Sequence, residues 1–277
     1  MRAGRVAPLS HLAGKFIGLV GHLQRALTGS LIRTTIHGMT NHIRAIFFDL
    51  DGTLRHSVPE GGDVFTEYVV LLGHAVTDED RLRAKRWEHQ YWAGSADLRD
   101  DLLAHSADTD KFWIEYGRRR LLSLNFTAEL ARELAPQVSA HMEAMYRPDS
   151  IVHPEVRRAL PLLRDSGYHM AVISNRDKPF RDVLDAHGLS EFFPYALAGG
   201  EVDIYKPDPG IFAHALQQLN LRADETVYVG DNYYADIVGA QRAGLVPVLF
   251  DPDHVFPEAD CVTIRSFDEL LPAIQKL

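Results

Sequence analysis

Ile46-Phe47-Phe48-Asp49-Leu50-Asp51-Gly52-Thr53-Leu54 joins an apolar run to two carboxylates and a glycine. The apolar residues predict a buried strand, and the glycine predicts that the strand ends nearby. An ionised carboxylate without a partner is costly in an apolar interior, so Asp49 and Asp51 are expected to face water or a cation. The stretch therefore predicts a strand that delivers two carboxylates to a functional edge of a sheet.

Three later segments place polar residues just past a predicted strand or at a helix start. They are Ser174-Asn175 after the apolar run 169–173, Lys206-Pro207-Asp208-Pro209 before a helical pattern, and Gly230-Asp231-Asn232 after the run 226–229, with Asp236 five residues beyond Asp231. A parallel sheet has its functional crevice beyond the carboxyl ends of its strands. Asp49, Ser174 and Asp231 are therefore expected to converge in space.

In this order the four segments resemble the motifs of the haloacid dehalogenase superfamily, whose first motif is an aspartate, a variable residue, a second aspartate and Gly-Thr-Leu. The resemblance implies that Asp49 is a nucleophile that forms an aspartyl-phosphate. It implies that Asp51 is the general acid and base. Lys206 is then expected to balance negative charge on Asp49 and on the substrate.

Several aspartates in one crevice repel one another, and a compact dianionic substrate adds to that repulsion. A hard cation with oxygen ligands is therefore expected, and magnesium fits best. By resemblance, its ligands are Asp49, the main-chain carbonyl of Asp51, and Asp231. Ser174 and the amide of Asn175 are expected to donate hydrogen bonds to the phosphoryl group. Asp236 is expected to orient Lys206 or a metal-bound water.

Each of these residues also has a structural interpretation. Aspartates before Gly-Thr or Gly-Asn are common in turns, where their side chains cap local amides. Ser174-Asn175 fits a helix cap equally well, and Lys206 taken alone fits a solvated lysine. Only the placement of the whole set at successive strand ends favours a functional site.

From Ile43 onward the sequence alternates strand and helix patterns, which predicts an α/β fold with a doubly wound parallel sheet. The strands are expected at 43–48, 168–173, 195–198, 226–229, 246–250 and 261–264. Turn signals at Pro59-Glu60-Gly61-Gly62 and Arg147-Pro148-Asp149-Ser150 bound a segment with helical patterns. The predicted division is a catalytic core at 41–58 and 149–277, and an inserted all-helical cap at 59–148.

By resemblance, the cap closes over the crevice and selects the substrate, and its size suits about four helices. It is rich in aromatic residues, which at helical spacing favour packing inside the helical bundle. These are Trp87, Tyr91, Trp92, Phe112, Trp113 and Tyr116.

The chain departs from the family pattern after Gly-Thr-Leu. Many relatives with a helical cap carry an acidic residue there, whereas this chain has Arg55-His56-Ser57. Substrate contacts are therefore not predicted at these three positions. Arg176 is expected to meet a carboxylate or phosphate of the substrate, because its planar guanidinium suits either group.

The composition agrees with a soluble enzyme. The chain has 277 residues, 46% of them hydrophobic, which suffices for a full core. Its net charge is −9 and its body has no basic block, so binding of nucleic acid is not favoured. A single cysteine, Cys261, excludes an intramolecular disulfide and fits a cytoplasmic location.

The first 40 residues differ from the rest because they carry basic residues but no Asp or Glu. Their apolar runs are too short for a membrane span. One interpretation is an organelle targeting segment or a helix that lies on a membrane surface. The other, which we favour, is an extension that is disordered and precedes a true start at Met39.

The predicted function is a magnesium-dependent phosphatase acting on a small phosphorylated metabolite. Asp51 argues against carbon–halogen cleavage, since a departing halide needs no proton. The alternative is a sugar phosphomutase of the same superfamily, and a non-catalytic binding protein is a third interpretation. Neither the physiological substrate nor the oligomeric state is predicted from the sequence.

Overall fold

A six-stranded parallel sheet organises the computed structural model, which describes residues 43–277. The strands of this range are β1 (Ala45–Phe48), β2 (His56–Val58), β3 (Asp149–Ile151), β4 (His169–Ser174), β5 (Tyr195–Ala198), β6 (Thr226–Gly230), β7 (Val246–Phe250) and β8 (Val262–Ile264). The sheet order is β5-β4-β1-β6-β7-β8. The predicted doubly wound α/β sheet is confirmed.

Helices connect these strands and cover both faces of the sheet. They are α1 (Gly61–Leu71), α2 (Asp78–Trp92), α3 (Ala96–His105), α4 (Thr109–Ser123), α5 (Ala128–Met145), α6 (Pro154–Asp165), α7 (Arg181–Ala186), α8 (Gly199–Val202), α9 (Pro209–Leu219), α10 (Val238–Arg242) and α11 (Leu270–Ile274). Short 3-10 turns lie at Ala223–Glu225 and Phe267–Glu269, and a π-helical turn at Tyr233–Ile237 leads into α10.

Strand β1 lies at the centre and is buried on both faces. Ile46 and Phe48 pack into the core that contains the apolar side of α6, whereas Ala45 and Phe47 pack into the core that contains α9. Alternate side chains of a strand point to opposite faces, so a continuous apolar run is what a central strand requires.

The chain order places the functional edge beside β1. From β1 the sheet extends through β4 and β5 on one side and through β6, β7 and β8 on the other. Phe48 pairs in register with Val172 of β4 and Val229 of β6. The residues that follow these three strands therefore emerge together, at the position where the direction of winding changes.

Five helices, α1 to α5, lie between β2 and β3 in the described range, where about four were expected from the sequence. The extra break falls at Ala93-Gly94-Ser95, where Gly94 has a φ of 76° and the Ser95 side chain caps α3. The antiparallel ribbon of β2 and β3 joins this helical segment to the sheet. The six aromatic residues singled out in the sequence gather in one cluster between the helices, as predicted.

The N-terminal extension, both of its interpretations and the start at Met39 fall outside the described residues. Within 43–277, none of the helices combines the length and the apolar character that crossing a bilayer requires.

Candidate active site

Asp49 begins the site directly after β1. Its main-chain amide donates to the carbonyl of Val229 in β6, 2.9 Å away, which extends the sheet pairing by one residue. The residue is only 6% exposed. A carboxylate at this depth needs charged or hydrogen-bonding partners, because burial without them is costly.

Lys206 supplies the nearest partner. Its Nζ lies 2.6 Å from Oδ1 of Asp49, 2.6 Å from Oδ1 of Asp236 and 2.9 Å from the hydroxyl of Tyr228. The lysine is itself 3% exposed. Burial disfavours its charge, but attraction from Asp236 and Asp49 outweighs burial and raises the pKa of Lys206 well above its ordinary value. A permanent ammonium is therefore fixed against Asp49.

The main chain of Lys206 is fixed by Asn175. The carboxamide of Asn175 accepts from the Lys206 amide at 2.7 Å and donates to the Lys206 carbonyl at 2.8 Å. Ser174, the last residue of β4, is buried at the same edge of the sheet. The side chain of Asn175 thus positions the lysine, whereas the predicted role concerned its main-chain amide.

Asp231 comes from the opposite side, after β6. Its Oδ1 accepts a hydrogen bond from Oγ1 of Thr53 at 2.8 Å. Carboxylate oxygens of Asp49, Asp231 and Asp236 all lie within 4.8 Å of one another, a spacing at which one cation can bind to several of them. Asp236 is already engaged by Lys206 and by the amide of Asn232 at 2.9 Å. Asp49 and Asp231 are therefore the better candidates for cation ligands.

The pKa values of these carboxylates reflect their burial and their closeness to one another. Desolvation in the crowded cluster raises the pKa of both Asp49 and Asp231 to about 7, and repulsion from neighbouring carboxylates contributes in each case. A divalent cation bound by oxygen ligands would relieve that repulsion. The donor set thus fits a hard cation such as magnesium.

Asp51 lies at the more open side of the site. Its Oδ2 accepts from Nε of Arg176 at 2.8 Å, and its Oδ1 accepts from the Arg176 amino group at 2.8 Å. Arg55 adds a third hydrogen bond to Oδ1 at 2.6 Å. The predicted acid–base residue therefore contacts two guanidinium groups.

All eight predicted site residues lie at the carboxyl edge of the sheet, and three further residues join them. Thr53, Arg55 and Tyr228 contact Asp231, Asp51 and Lys206 respectively. Tyr228 was missed because a tyrosine inside an apolar strand is indistinguishable from a core residue. Arg55 was discounted because it departs from the family pattern, although its position four residues after Asp51 was a signal of contact.

A cleft of about 340 Å³ lies next to the site, between the helical segment and the stretch of chain that carries Lys206. Ala93, Gly94 and Arg99 line it from the helical side, and residues 205–208 with Arg242 line it from the other. Lys206, which contacts Asp49, is part of the wall of this cleft.

Comparisons with known proteins agree with this geometry. Residues 43–244 match the family model of haloacid dehalogenase-like hydrolases. A phosphoglycolate phosphatase of Photorhabdus laumondii is 29% identical over 84% of this chain and 92% of its own length. The phosphoglycolate phosphatase of Vibrio parahaemolyticus is 27% identical over 73% of this chain and 81% of its own length. A crystal structure of a predicted phosphoglycolate phosphatase from Haemophilus somnus aligns with a TM-score of 0.52 and 21% identity, covering 86% of this chain and all of that one. The chain belongs to the haloacid dehalogenase-like hydrolase family.

Proposed function

We propose that this protein is a magnesium-dependent phosphatase that hydrolyses a small phosphomonoester through an aspartyl-phosphate at Asp49. The observation that carries the proposal is the contact of Lys206 with Asp49, with Asp231 close by and Asp51 two residues further on. A buried lysine cancels the charge of a carboxylate that must approach an anionic phosphoryl group. The curated relatives, which are named phosphatases, support the same reaction class.

In the first step a carboxylate oxygen of Asp49 attacks phosphorus, and the bond from phosphorus to the ester oxygen breaks. Asp51 donates its proton to the departing oxygen, so the alcohol leaves uncharged. Lys206 stays hydrogen-bonded to Asp49 and balances the negative charge there. The products are the free alcohol and the phosphorylated Asp49.

In the second step water attacks the phosphorus of the aspartyl-phosphate. Asp51, now ionised, takes a proton from that water, and the bond from phosphorus to Asp49 breaks. Inorganic phosphate leaves, and Asp49 returns to its carboxylate form. One residue thus serves as acid and then as base, which requires that it lie beside the nucleophile without being the nucleophile.

The residues that would hold magnesium are Asp49, the main-chain carbonyl of Asp51, and Asp231. When bound, magnesium neutralises phosphoryl oxygens and the crowded carboxylates. Thr53 orients Asp231 for this role, and Asp236 orients Lys206. We assign phosphoryl contacts to Ser174 and to the main-chain amide of Asn175, both at the end of β4.

The helical segment would act as a cap domain, with boundaries near 59 and 148, and exclude water from the site. Its ribbon connection and its contacts to the loop after β7 support this role. We place the reaction in the cytoplasm, on the grounds of the single cysteine, and take the substrate to be a small phosphorylated metabolite.

The decisive variant is Asp49→Asn, assayed for magnesium-dependent release of phosphate from an aryl phosphate. An amide cannot form the acyl-phosphate, so turnover should fall by a factor on the order of 10⁴ or more. Asp110→Asn, on an exposed helical surface, is the matched control and should retain full activity. Release by Asp49→Asn at the wild-type rate, with the fold intact by circular dichroism, would remove Asp49 from the mechanism.

A further inference from the structure

Two arginines meet at the carboxylate of Asp51. Arg176 forms a two-point contact, with both distances 2.8 Å, and Arg55 adds a third at 2.6 Å. The arginines come from different parts of the fold: Arg55 precedes β2, and Arg176 follows β4. Their side chains are 19% and 23% exposed, so both remain accessible to a small molecule.

Arg176 is held in place independently of Asp51. Its guanidinium lies over the ring of Phe180, 6.0 Å from the ring centre, and its carbonyl accepts from the amide of Gly200 at 3.0 Å. A Cβ on Gly200 would come within 2.0 Å of the Asp177 carbonyl oxygen, so the loop that carries Arg176 is closely packed there. The guanidinium is therefore preorganised.

Arg55 is fixed by the ribbon that leads to the helical segment. Its Nε donates to the hydroxyl of Ser150 at 2.6 Å and one amino group donates to the hydroxyl of Ser57 at 3.2 Å. Ser150 in turn contacts Nε2 of His187 at 2.8 Å. Both strands of the ribbon thus determine where this guanidinium lies.

The three side chains together carry one positive charge in excess, because a single carboxylate faces two guanidinium groups. The proposed mechanism, on which this step rests, places the departing alcohol beside Asp51. Whatever substituent that alcohol carries therefore lies close to Arg55 and Arg176. A planar carboxylate already fits between them, namely that of Asp51 itself.

We propose that Arg55 and Arg176 form a subsite for a carboxylate on the leaving group of the substrate. In the free protein the side chain of Asp51 occupies it. A substrate carboxylate takes over the hydrogen bonds of Arg176, while Arg55 keeps Oδ1 of Asp51 in place. Oδ2 of Asp51 then turns to the departing oxygen, so the substrate itself arranges the acid–base residue. The preferred substrates are small phosphomonoesters of hydroxy acids.

The test compares phosphoglycolate with hydroxyethyl phosphate, which has the same chain length but an uncharged hydroxyl in place of the carboxylate. The wild-type protein should hydrolyse phosphoglycolate with a kcat/KM at least about 10-fold higher, as charge-assisted hydrogen bonds predict. Arg176→Gln should lower kcat/KM for phosphoglycolate by a factor at least about 10-fold larger than the factor by which it lowers kcat/KM for hydroxyethyl phosphate. Lys178→Gln, which removes an exposed positive charge from the same loop, should leave kcat/KM unchanged for both substrates.

Two results would overturn the subsite. One is equal wild-type efficiency on both substrates, a comparison that does not depend on any variant folding. The other is an equal loss on both substrates in Arg176→Gln, which would mean that Arg176 only positions Asp51. Release of phosphate from an aryl phosphate but not from phosphoglycolate would also overturn the subsite, and only the absence of magnesium-dependent release from all three compounds would overturn the phosphatase function.

Discussion

At the scale of single residues, the site depends on how closely backbone and carboxylates approach one another. Gly52 shows this directly: its φ is 95°, and a Cβ placed on it would lie 2.5 Å from Oδ2 and 2.6 Å from Oδ1 of Asp231. A glycine is needed here for two reasons. Its positive φ is one that other residues rarely adopt, and Asp231 leaves no room for a Cβ. The Gly-Thr pair after Asp51 therefore has a structural explanation, since Thr53 donates to the same carboxylate.

Gly52→Ala tests that explanation. The new methyl group should push Asp231 away from Asp49, weaken magnesium binding and lower turnover by about 100-fold or more. Gly73→Ala is the matched control, because Gly73 has a φ of 92° but no atom within 4 Å of the position that a Cβ would take. Both variants should lose about 1 kcal/mol or more of stability through backbone strain. Equal turnover in the two variants would show that contact with Asp231 is unimportant.

The sequence predicted the charged residues of the site better than the uncharged residues that hydrogen-bond to them. Asp49, Asp231 and Lys206 were identifiable because they belong to a set of motifs at successive predicted strand ends and helix starts, and that set resembles a known family. Tyr228 and Thr53 were not, since both are common in buried strands and turns. The contact of Arg176 with Asp51 spans 125 residues in sequence and depends on loop conformations that no local pattern encodes.

At the scale of elements, helix α2 links the helical segment to the sheet. Arg86 donates from Nε to the carbonyl of Val255 at 2.7 Å and pairs with Glu258 at 2.9 Å. The ring of His89 lies against that of Phe256, and its carbonyl accepts from Nδ2 of Asn232 at 3.0 Å. Asn232 follows Asp231 directly, so the position of α2 is connected to the site through one residue.

Arg86→Ala should loosen this contact. We expect the helical segment to open more often, and KM for an aryl phosphate to rise by about 3- to 10-fold. Proteolysis in the linkers around 59–62 and 146–150 should also become faster. Arg81→Ala, in the same helix but without these contacts among the described residues, should behave like wild type. Identical KM and proteolysis in the two variants would contradict a closing role for α2.

The strands of the main sheet were predictable from the sequence, and those of the ribbon were not. All six strands of the sheet follow apolar runs, and their observed bounds differ from the prediction by no more than two residues at either end. The ribbon of β2 and β3 has only three residues per strand, His-Ser-Val and Asp-Ser-Ile, too few to show a period of two. Its pairing is fixed by the chain entering and leaving the helical segment.

At the scale of the whole molecule, buried aspartates with raised pKa values and buried histidines with lowered pKa values both make the stability of the fold depend on pH between about 4 and 7. Desolvation raises the folded pKa of Asp49 and Asp231 from 3.8 to about 7. Their contribution to stability is present below pH 3.8 and is lost as the pH rises through 7. Burial lowers the pKa of His56 and His89 from 6.5 to about 4, so their contribution is present above pH 6.5 and is lost as the pH falls through 4.

Adding magnesium distinguishes the pH dependence that comes from the aspartates from the pH dependence that comes from the histidines, because only the carboxylates bind the ion. The gain in Tm on adding magnesium should be close to zero near pH 5, where both carboxylates hold protons, and should reach several degrees near pH 8. Thermal melts with and without the ion, at matched ionic strength, measure this gain, and the histidines cancel in the difference. Asp231→Asn should abolish it. A gain of the same size at both pH values would contradict a cation site formed by Asp49 and Asp231.

Phosphoryl transfer to Asp49 is tested most directly by the stereochemistry at phosphorus. The substrate is an aryl phosphorothioate made chiral with oxygen isotopes and hydrolysed in labelled water. Each in-line displacement inverts phosphorus, so transfer first to Asp49 and then to water predicts net retention of configuration. Net inversion would mean that water attacks the substrate in a single step, and would contradict an aspartyl-phosphate at Asp49.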